Sequence, residues 1–425
     1  MVRKVYFLAL LGVVISCLVF PNSLKTTSAL SLALAFLCAI TKVKLDAGLI
    51  LILKFWVVGS LVTLLYLLVG VLRGAPTEAV IQVLLIYMVF PLVWIFVIKL
   101  FLQEVPLDLA VKGLIVVGVL ACLSVFFFYY AFLSYGPDSV QFFIEDPNVD
   151  VGTEGYIAAT MHVFGSLIFI VGGYVASFGS LTGRMKSALL LSLFVLVALI
   201  SGRSALILAV LVGLLLNVIT VGMNARQIGS SSILRDMLWI AVACVLAFIS
   251  LDYAELKFEQ IIEPFIEKIS VMGGDTRTEQ FLALMSGVVE SAGLGSGHGI
   301  GAPYRVNELY PWRYEMVWAA SVFRVGVIGA MIYSAPFLLV VALGLRRLVT
   351  RRLDRNEMFI FGGFIASFVA SNTNPYIEAL VFQWMFILPT LYFLQNGKHL
   401  NRSGTSVVSS ASMAGRAWPH RLEHR

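Results

Sequence analysis

The stretch VALISGRSALILAVLVGLLLNVIT, residues Val197–Thr220, decides the fold class of this chain. It is almost entirely apolar and exceeds the roughly 20 residues that a helix needs to cross a bilayer. Across all 425 residues, 60% are hydrophobic and 13% are charged, and the mean hydropathy is +0.94. Water-soluble domains do not bury so much apolar surface, so the sequence predicts a membrane protein. The exception within the stretch is Arg203.

Apolar runs long enough to span a bilayer recur about twelve times along the chain. They predict an all-α polytopic membrane protein with about twelve transmembrane helices. Ser201 and Gly202 separate the seventh and eighth runs. The runs are 5–20, 28–41, 47–72, 79–101, 109–134, 156–180, 186–201, 203–222, 234–252, 313–345, 356–371 and 376–395.

The basic residues predict the orientation, because cytoplasmic loops carry the excess of Lys and Arg. Thirteen of them flank the even-numbered connections, whereas residues 136–155 on the other side contain none. Both termini and the even-numbered connections are therefore predicted to be cytoplasmic. The flanking residues are Lys42, Lys44, Lys99, Lys112, Arg184, Lys186, Arg226, Arg235, Arg346, Arg347, Arg351, Arg352 and Arg355.

These runs divide the chain into four parts: helices 1–9 in 1–252, a large external loop in 253–312, helices 10–12 in 313–395, and a disordered basic cytoplasmic tail in 396–425. The net charge of +6 follows from the positive-inside bias and this tail, and it needs no nucleic-acid partner. The four cysteines lie inside predicted spans without paired spacing, which predicts buried free thiols.

The external loop holds the candidate site. Its first part, YAELKFEQIIEPFIEKIS, predicts an amphipathic helix bent near Pro264. A second helix is predicted from about Asp275 to Ser291, with Arg277 in its first turn. A cation beside the positive end of a helix dipole is unfavourable for stability, but together with free N–H groups it favours anion binding.

The glycine-rich segment AGLGSGHGIG follows this second helix. It lacks the βαβ context of a dinucleotide-binding loop. Two interpretations remain open: Gly295, Gly297 and His298 approach a sugar or phosphate closely, or the segment is a plain mobile loop.

Arg203 would lie at the outer ends of the seventh and eighth spans. An arginine at the centre of a membrane helix costs about 2.5–3.5 kcal/mol on insertion scales. One interpretation is a snorkelling arginine, or one paired with a buried glutamate. The other is a phosphate clamp, since guanidinium matches phosphate oxygens. We expect Arg203 and Arg277 to converge on one diphosphate.

LISGRSALILAVLVGLLL, followed by TRTEQFLAL and AGLGSGHGIG in the large loop, resembles the O-antigen ligase and Wzy-type polymerase superfamily. The similarity covers about Leu199 to Leu345. It implies a glycosyltransferase-C-like bundle in the bacterial inner membrane, with a periplasmic active site. It also implies an inverting, metal-independent transfer without a cofactor, from an undecaprenyl-diphosphate-linked oligosaccharide donor. The acceptor would be a glycan or a lipid A-core, and other polysaccharide-assembly proteins are possible partners.

YEMVWAASVFRVGVIG departs from the family pattern. Glu315 stands where ligases usually carry a histidine, and Arg324 stands in place of a glutamate. This favours a polymerase over a ligase. Glu315 is predicted to be either a general base on an acceptor hydroxyl or a carboxylate paired with Arg313 or another basic residue.

Further candidates lie elsewhere on the outer side. His162 is a candidate catalytic or cavity-lining residue, and Asn372, Asn374 and Glu378 are predicted to rim or line the cavity, with Glu378 facing protein. The acidic loop 143–155 offers Glu145, Asp146, Asp150 and Glu154 for a metal but lacks D-x-D spacing, so no metal site is predicted. A lipid-linked glycan flippase remains an alternative, although no inverted hydropathy repeat is visible.

Overall fold

The fold is a helical bundle. The computed structural model describes residues 2–20, 24–136, 139, 150–151, 157–158, 165–179, 181, 183–200, 204–228, 238–243, 245–247, 249, 274–304, 310–372 and 374–396. The helices are α1 Val2–Val13, α2 Lys25–Ile40, α3 Ala47–Leu72, α4 Thr77–Leu84, α5 Phe90–Glu104, α6 Leu107–Tyr135, α7 Gly165–Ala176, α8 Arg184–Ile200, α9 Ser204–Ile228, α10 Gly274–Glu290, α11 Val317–Val349, α12 Arg355–Ala370 and α13 Trp384–Asn396.

Shorter elements complete the chain path. Val14–Val19 extends α1 as a π-helix, and Leu85–Val89 joins α4 to α5 in the same way. The strands β1 Asp150–Val151 and β2 Ile157–Ala158 pair antiparallel. Two 3₁₀ turns, Tyr376–Glu378 and Leu380–Phe382, precede α13.

The structure confirms a predominantly helical, multi-pass membrane protein. Six helical stretches among the described residues are long and apolar enough to cross a bilayer: Val2–Val19, Ala47–Leu72, Thr77–Glu104, Leu107–Phe132, Ala205–Met223 and Val317–Val349. Shorter apolar helices cover Lys25–Ile40, Ser166–Ala176, Met185–Ile200, Leu238–Ala247 and Leu380–Gln395.

Three predicted spans begin later than the apolar pattern indicates. The predicted span 376–395 starts with two 3₁₀ turns, and its α-helix begins at Trp384. The predicted span 156–180 was wrong at its start, because Ile157–Ala158 is a strand and α7 begins at Gly165. The predicted span 313–345 begins at Val317, so Glu315 lies before the helix rather than within it. Hydropathy alone does not separate these extended apolar residues from the helix that follows.

Helices α7, α9 and α12 pack with their backbones in close contact. A Cβ added at Gly213 would lie 2.7 Å from the Val175 Cβ and 2.8 Å from the Gly172 carbonyl oxygen. A Cβ added at Gly363 would lie 2.5 Å from the carbonyl oxygen of Phe169. Lipid chains are as apolar as the helices, so association in a bilayer depends on this close fit of small residues.

One end of the bundle is held by two ion pairs, of which one is half-buried and the other buried. Asp46 caps α3 by accepting from the Leu49 amide at 2.9 Å and forms an ion pair with Lys99, which is 1% exposed. Partial burial works to raise the pKa of Asp46, but the hydrogen bonds from Lys99 and the backbone outweigh it and lower the pKa. Arg347 and Glu357 form a second buried pair at 2.6 Å. These pairs join connections that the loop charges assign to one side.

The opposite end is formed by connections assigned to the other side. The start of α2, the α3–α4 connection, the segment between α10 and α11, and the turns before α13 meet there. The alternation inferred from loop charge therefore agrees with which connections share an end of the bundle. This second end contains the candidate site.

Candidate functional site

A cavity of about 380 Å³ opens at this second end, and it is called the polar cavity below because charged side chains line it. Among the residues that the structure describes, its charged lining residues are Lys25, Arg313, Arg324 and Glu378, which are three cations and one carboxylate. Trp312, Tyr314 and Tyr376 add aromatic surface, and Gln82 adds an amide; all four also line the cavity. A cavity with more cations than carboxylates attracts an anionic ligand.

Arg324 is the centre of this cavity wall. Its Nη1 donates to the Glu378 Oε1 at 2.5 Å and to the Tyr87 hydroxyl oxygen at 3.0 Å, and its Nη2 donates to the Trp312 carbonyl at 2.7 Å. Tyr87 in turn donates to the same Oε1 at 2.5 Å. Arg324 is 5% exposed and Glu378 is 11% exposed. Charges this deeply buried persist only when paired and hydrogen-bonded.

A break in α11 places Arg324 at the end of a half-helix. Gly326 has φ 68° and ψ 176°, so the helical hydrogen bonding stops there and restarts at the next residue. The glycine-rich segment supplies the missing partners: Ser296 N donates to Phe323 O at 2.7 Å, Gly297 N to Arg324 O at 2.9 Å, and Val327 N to Gly293 O at 3.0 Å. The loop thus satisfies backbone groups that a helix end leaves unpaired.

The glycines of this segment contact protein backbone. Gly297 has φ 97°, and an added Cβ would lie 2.6 Å from the Gly70 nitrogen on α3. Gly295 has φ 92°, and its added Cβ would lie 2.5 Å from the Gly326 nitrogen. The close approach expected toward a sugar or phosphate is instead an approach to α3 and to the break in α11. Neither residue lines the polar cavity; Gly299 does.

His298 is fully buried and does not line the cavity. Its Nε2 lies 3.1 Å from the Tyr333 hydroxyl, which lies 2.8 Å from the Thr63 Oγ1. Thr63 Oγ1 also lies 2.9 Å from Gly59 O, so His298, Tyr333 and Thr63 form one chain of hydrogen bonds that ends on the backbone of α3. Burial, and then the Arg324 charge, hold the pKa of His298 well below its usual value.

An apolar pocket of about 160 Å³ adjoins the polar cavity. Its walls come from α3, α5, α11 and α13 and include Trp56, Trp318 and Phe337. Ile86, Tyr87 and Glu378 line both spaces. The Arg324–Glu378–Tyr87 cluster therefore separates a polar cavity from an apolar one, an arrangement suited to an amphiphile.

Arg277 and Glu315 are paired with each other. The helix that carries Arg277 begins at Gly274, next to the predicted start, and Arg277 Nε donates to Glu315 Oε2 at 3.1 Å. Of the two interpretations of Glu315, this contact matches the paired carboxylate, with Arg277 in place of Arg313. Neither member lines the polar cavity. Arg313 lies against Tyr310, 4.2 Å from its ring centroid, and donates to Gln82.

The remaining predicted residues fall into two groups. Arg203 and His162 lie outside the described residues, so the convergence of Arg203 with Arg277 stays a prediction. Asn372 donates to Val369 O at 3.2 Å in the turn after α12, and neither it nor Asn374 lines the polar cavity. Glu378 lines the cavity and faces protein.

Arg324 and Tyr87 are the central residues that sequence reasoning missed. Arg324 was noted only as a departure from a family pattern. The available signal was an arginine inside the apolar run AASVFRVGVIG, the same signal that drew attention to Arg203. Tyr87 gave no signal, since a tyrosine in an apolar helix is common near membrane interfaces.

Comparison with known proteins adds no family assignment. No family model matches the chain, and neither a curated protein nor a solved structure matches it. Within the described part of the chain, no group of three or more His, Cys, Asp or Glu side chains is placed to hold a metal ion.

Proposed function

We propose that this protein is a membrane glycosyltransferase that polymerises undecaprenyl-diphosphate-linked glycan repeat units on the periplasmic face of a bacterial inner membrane. It would have about twelve spans in a glycosyltransferase-C-like bundle, with both termini in the cytoplasm. The motif resemblance between Leu199 and Leu345 supplies the substrate class. The charged cavity supplies the candidate residues.

The observation that carries the proposal is the contact between the two cavities. The donor is an amphiphile with a long isoprenoid chain and an anionic diphosphate. The apolar pocket offers room for part of the chain, and the cations Lys25, Arg313 and Arg324 offer charge to the diphosphate. Charge-assisted hydrogen bonds of this kind contribute about 1.5–3 kcal/mol each.

In the transfer itself, the acceptor hydroxyl attacks the anomeric carbon from the face opposite the diphosphate, and that centre inverts. The diphosphate leaves with the bonding electron pair. Arg324 retains N–H groups beyond those bound to Glu378, Tyr87 and Trp312, since a guanidinium carries five. It stabilises the growing negative charge from a fixed position, which avoids the cost of reorganising water.

A ligase that transfers finished polymer to a lipid A-core is the alternative within the same chemistry. The two are separated by the polysaccharides of a deletion strain. Loss of the ladder down to a single repeat indicates a polymerase. Polymer that accumulates on its lipid carrier indicates a ligase.

A flippase for lipid-linked glycans is the alternative from another class. The break of α11 at Gly326 favours it, because carriers use discontinuous helices at their binding sites. Labelled lipid-linked glycan in vesicles tests it. Protein-dependent movement of the label between leaflets without new glycosidic bonds would support a flippase.

The proposed function is tested by complementing the deletion strain with an R324M variant at matched membrane levels. Loss of two or more charged contacts to the diphosphate is expected to reduce polymer formation by at least about tenfold per contact. The matched control is R351A, at the opposite end of the bundle, where the arginine is exposed. Normal polymer from R324M would refute the assignment of Arg324 to the donor site.

A further inference from the structure

We propose that Glu378 accepts the proton of the acceptor hydroxyl in this transfer, and that Arg324 and Tyr87 hold one of its oxygens so that the other faces the substrate. This inference rests on the proposed function. It assigns a role to Glu378 that the sequence analysis gave to Glu315.

The placement of carboxylates carries the first step. Among the described residues that line the polar cavity, Glu378 is the only Asp or Glu. Glu315 lies outside that lining and is bound to Arg277. A general base must come within hydrogen-bond reach of the proton it removes. Of these two carboxylates, Glu378 is the one positioned at a ligand in the cavity.

The hydrogen bonds of Glu378 carry the second step. Arg324 Nη1 and the Tyr87 hydroxyl both donate to Oε1, each at 2.5 Å. Within the described part of the chain, no hydrogen bond reaches Oε2. This oxygen is also not among the buried polar atoms that lack a partner, so it remains accessible. One oxygen is thus fixed by two donors on different helices, which sets the direction of the other. Fixed geometry of this kind is what a positioned base requires.

The shared arginine carries the third step. In the described structure, Arg324 compensates the charge of Glu378. When a diphosphate shares Arg324, the contact between Arg324 and Glu378 weakens. The carboxylate is then available to take the proton of the acceptor hydroxyl.

The chemical step balances on these residues. The acceptor O–H bond breaks, its proton moves to Glu378 Oε2, and the oxygen forms the new bond to the anomeric carbon. The bond from that carbon to the diphosphate oxygen breaks, and the electron pair leaves with the diphosphate. The protonated carboxyl returns its proton to water before the next turnover.

The test compares E378Q with wild type and with E290Q, a matched control at an exposed glutamate of α10. Each is expressed in the deletion strain at equal membrane levels. Loss of a general base is expected to lower polymer formation by about 10²- to 10⁴-fold in E378Q. E290Q is expected to match wild type. Binding of undecaprenyl diphosphate to purified protein in nanodiscs, followed by tryptophan fluorescence, is expected to change by less than about tenfold in E378Q.

The comparison of binding with turnover separates a base from a residue that only neutralises Arg324. A base should affect turnover and leave the binding of undecaprenyl diphosphate nearly unchanged, whereas loss of neutralisation should affect both. Full turnover in E378Q would overturn the inference, as would equal loss of binding and turnover. If E378Q does not reach the membrane, E378D decides: it keeps the charge, so reduced turnover supports the inference and wild-type turnover overturns it.

Failure of the proposed function gives a different result. Wild-type protein would then neither bind undecaprenyl diphosphate nor restore polymer. Wild-type activity together with an active E378Q would leave the function in place and remove only the role of Glu378.

Discussion

The close contact between the glycine-rich segment and α3 leads to a quantitative prediction for G297A. Gly297 has φ 97°, which costs an L-residue roughly 1–2 kcal/mol. The new Cβ would also lie 2.6 Å from the Gly70 nitrogen and 2.8 Å from its Cα. Those atoms are backbone and do not rotate away, so overpacking adds about 1–3 kcal/mol. We expect G297A to lose about 2–5 kcal/mol of unfolding free energy.

Two other glycines separate the contributions. Gly74 has φ 89° with nothing within 4 Å of an added Cβ, so G74A should lose only the roughly 1–2 kcal/mol of strain. Gly113 is helical with open space around it, so G113A should lose nothing. Thermal unfolding of the three variants in one detergent, followed by size-exclusion fluorescence, measures the order. A G297A protein as stable as G74A would refute the described contact between the loop and α3.

Three further predictions concern charge and orientation. R277A should lose no more than about 1 kcal/mol of unfolding free energy, because its bond to Glu315 is partly exposed; a larger loss in thermal unfolding would contradict this. His298 stays neutral when folded, so stability should fall as pH drops below about 6.5, by up to about 1.4 kcal/mol per pH unit, and this slope should be absent from H298Q melts. In intact spheroplasts, an impermeant maleimide should label E290C, and should label R351C only after permeabilisation; the reverse pattern would invert the proposed topology.

The helices were largely predictable from the sequence because their signal is local. An apolar run of bilayer length leaves the backbone little choice but to satisfy its hydrogen bonds within a helix. A different local signal, a capping residue after two glycines and a glycine-rich end, predicted the helix from about Asp275 to Ser291, which the structure places at Gly274–Glu290. Apolar run length misplaced the start of α7, where Ile157–Ala158 is as apolar as a helix but pairs as a strand.

The site was less predictable because its contacts are distant in sequence. Arg324 meets Glu378 across 54 positions and Tyr87 across 237. A single sequence contains no direct sign of such pairs. The prediction that Glu378 faces protein came from a local argument about the turn before it. Its partners Arg324 and Tyr87 could be identified only when Leu85–Val89, α11 and the turns before α13 were placed together.

The join between the glycine-rich segment and α3 has a consequence for how the protein matures. The His298 amide donates a hydrogen bond to the Tyr66 carbonyl of α3. Helices α3 and α4 are synthesised before Ser204, and therefore long before α11. A pairing this remote along the chain is slow to form, since loop closure must precede any gain from contact. During synthesis, the surface of α3 around Gly70 is therefore in the bilayer before the glycine-rich segment that packs against it. The cavity is completed only after the last helices enter the membrane. A truncated nascent chain would therefore contain most of the helices and lack the complete cluster of Arg324, Glu378 and Tyr87.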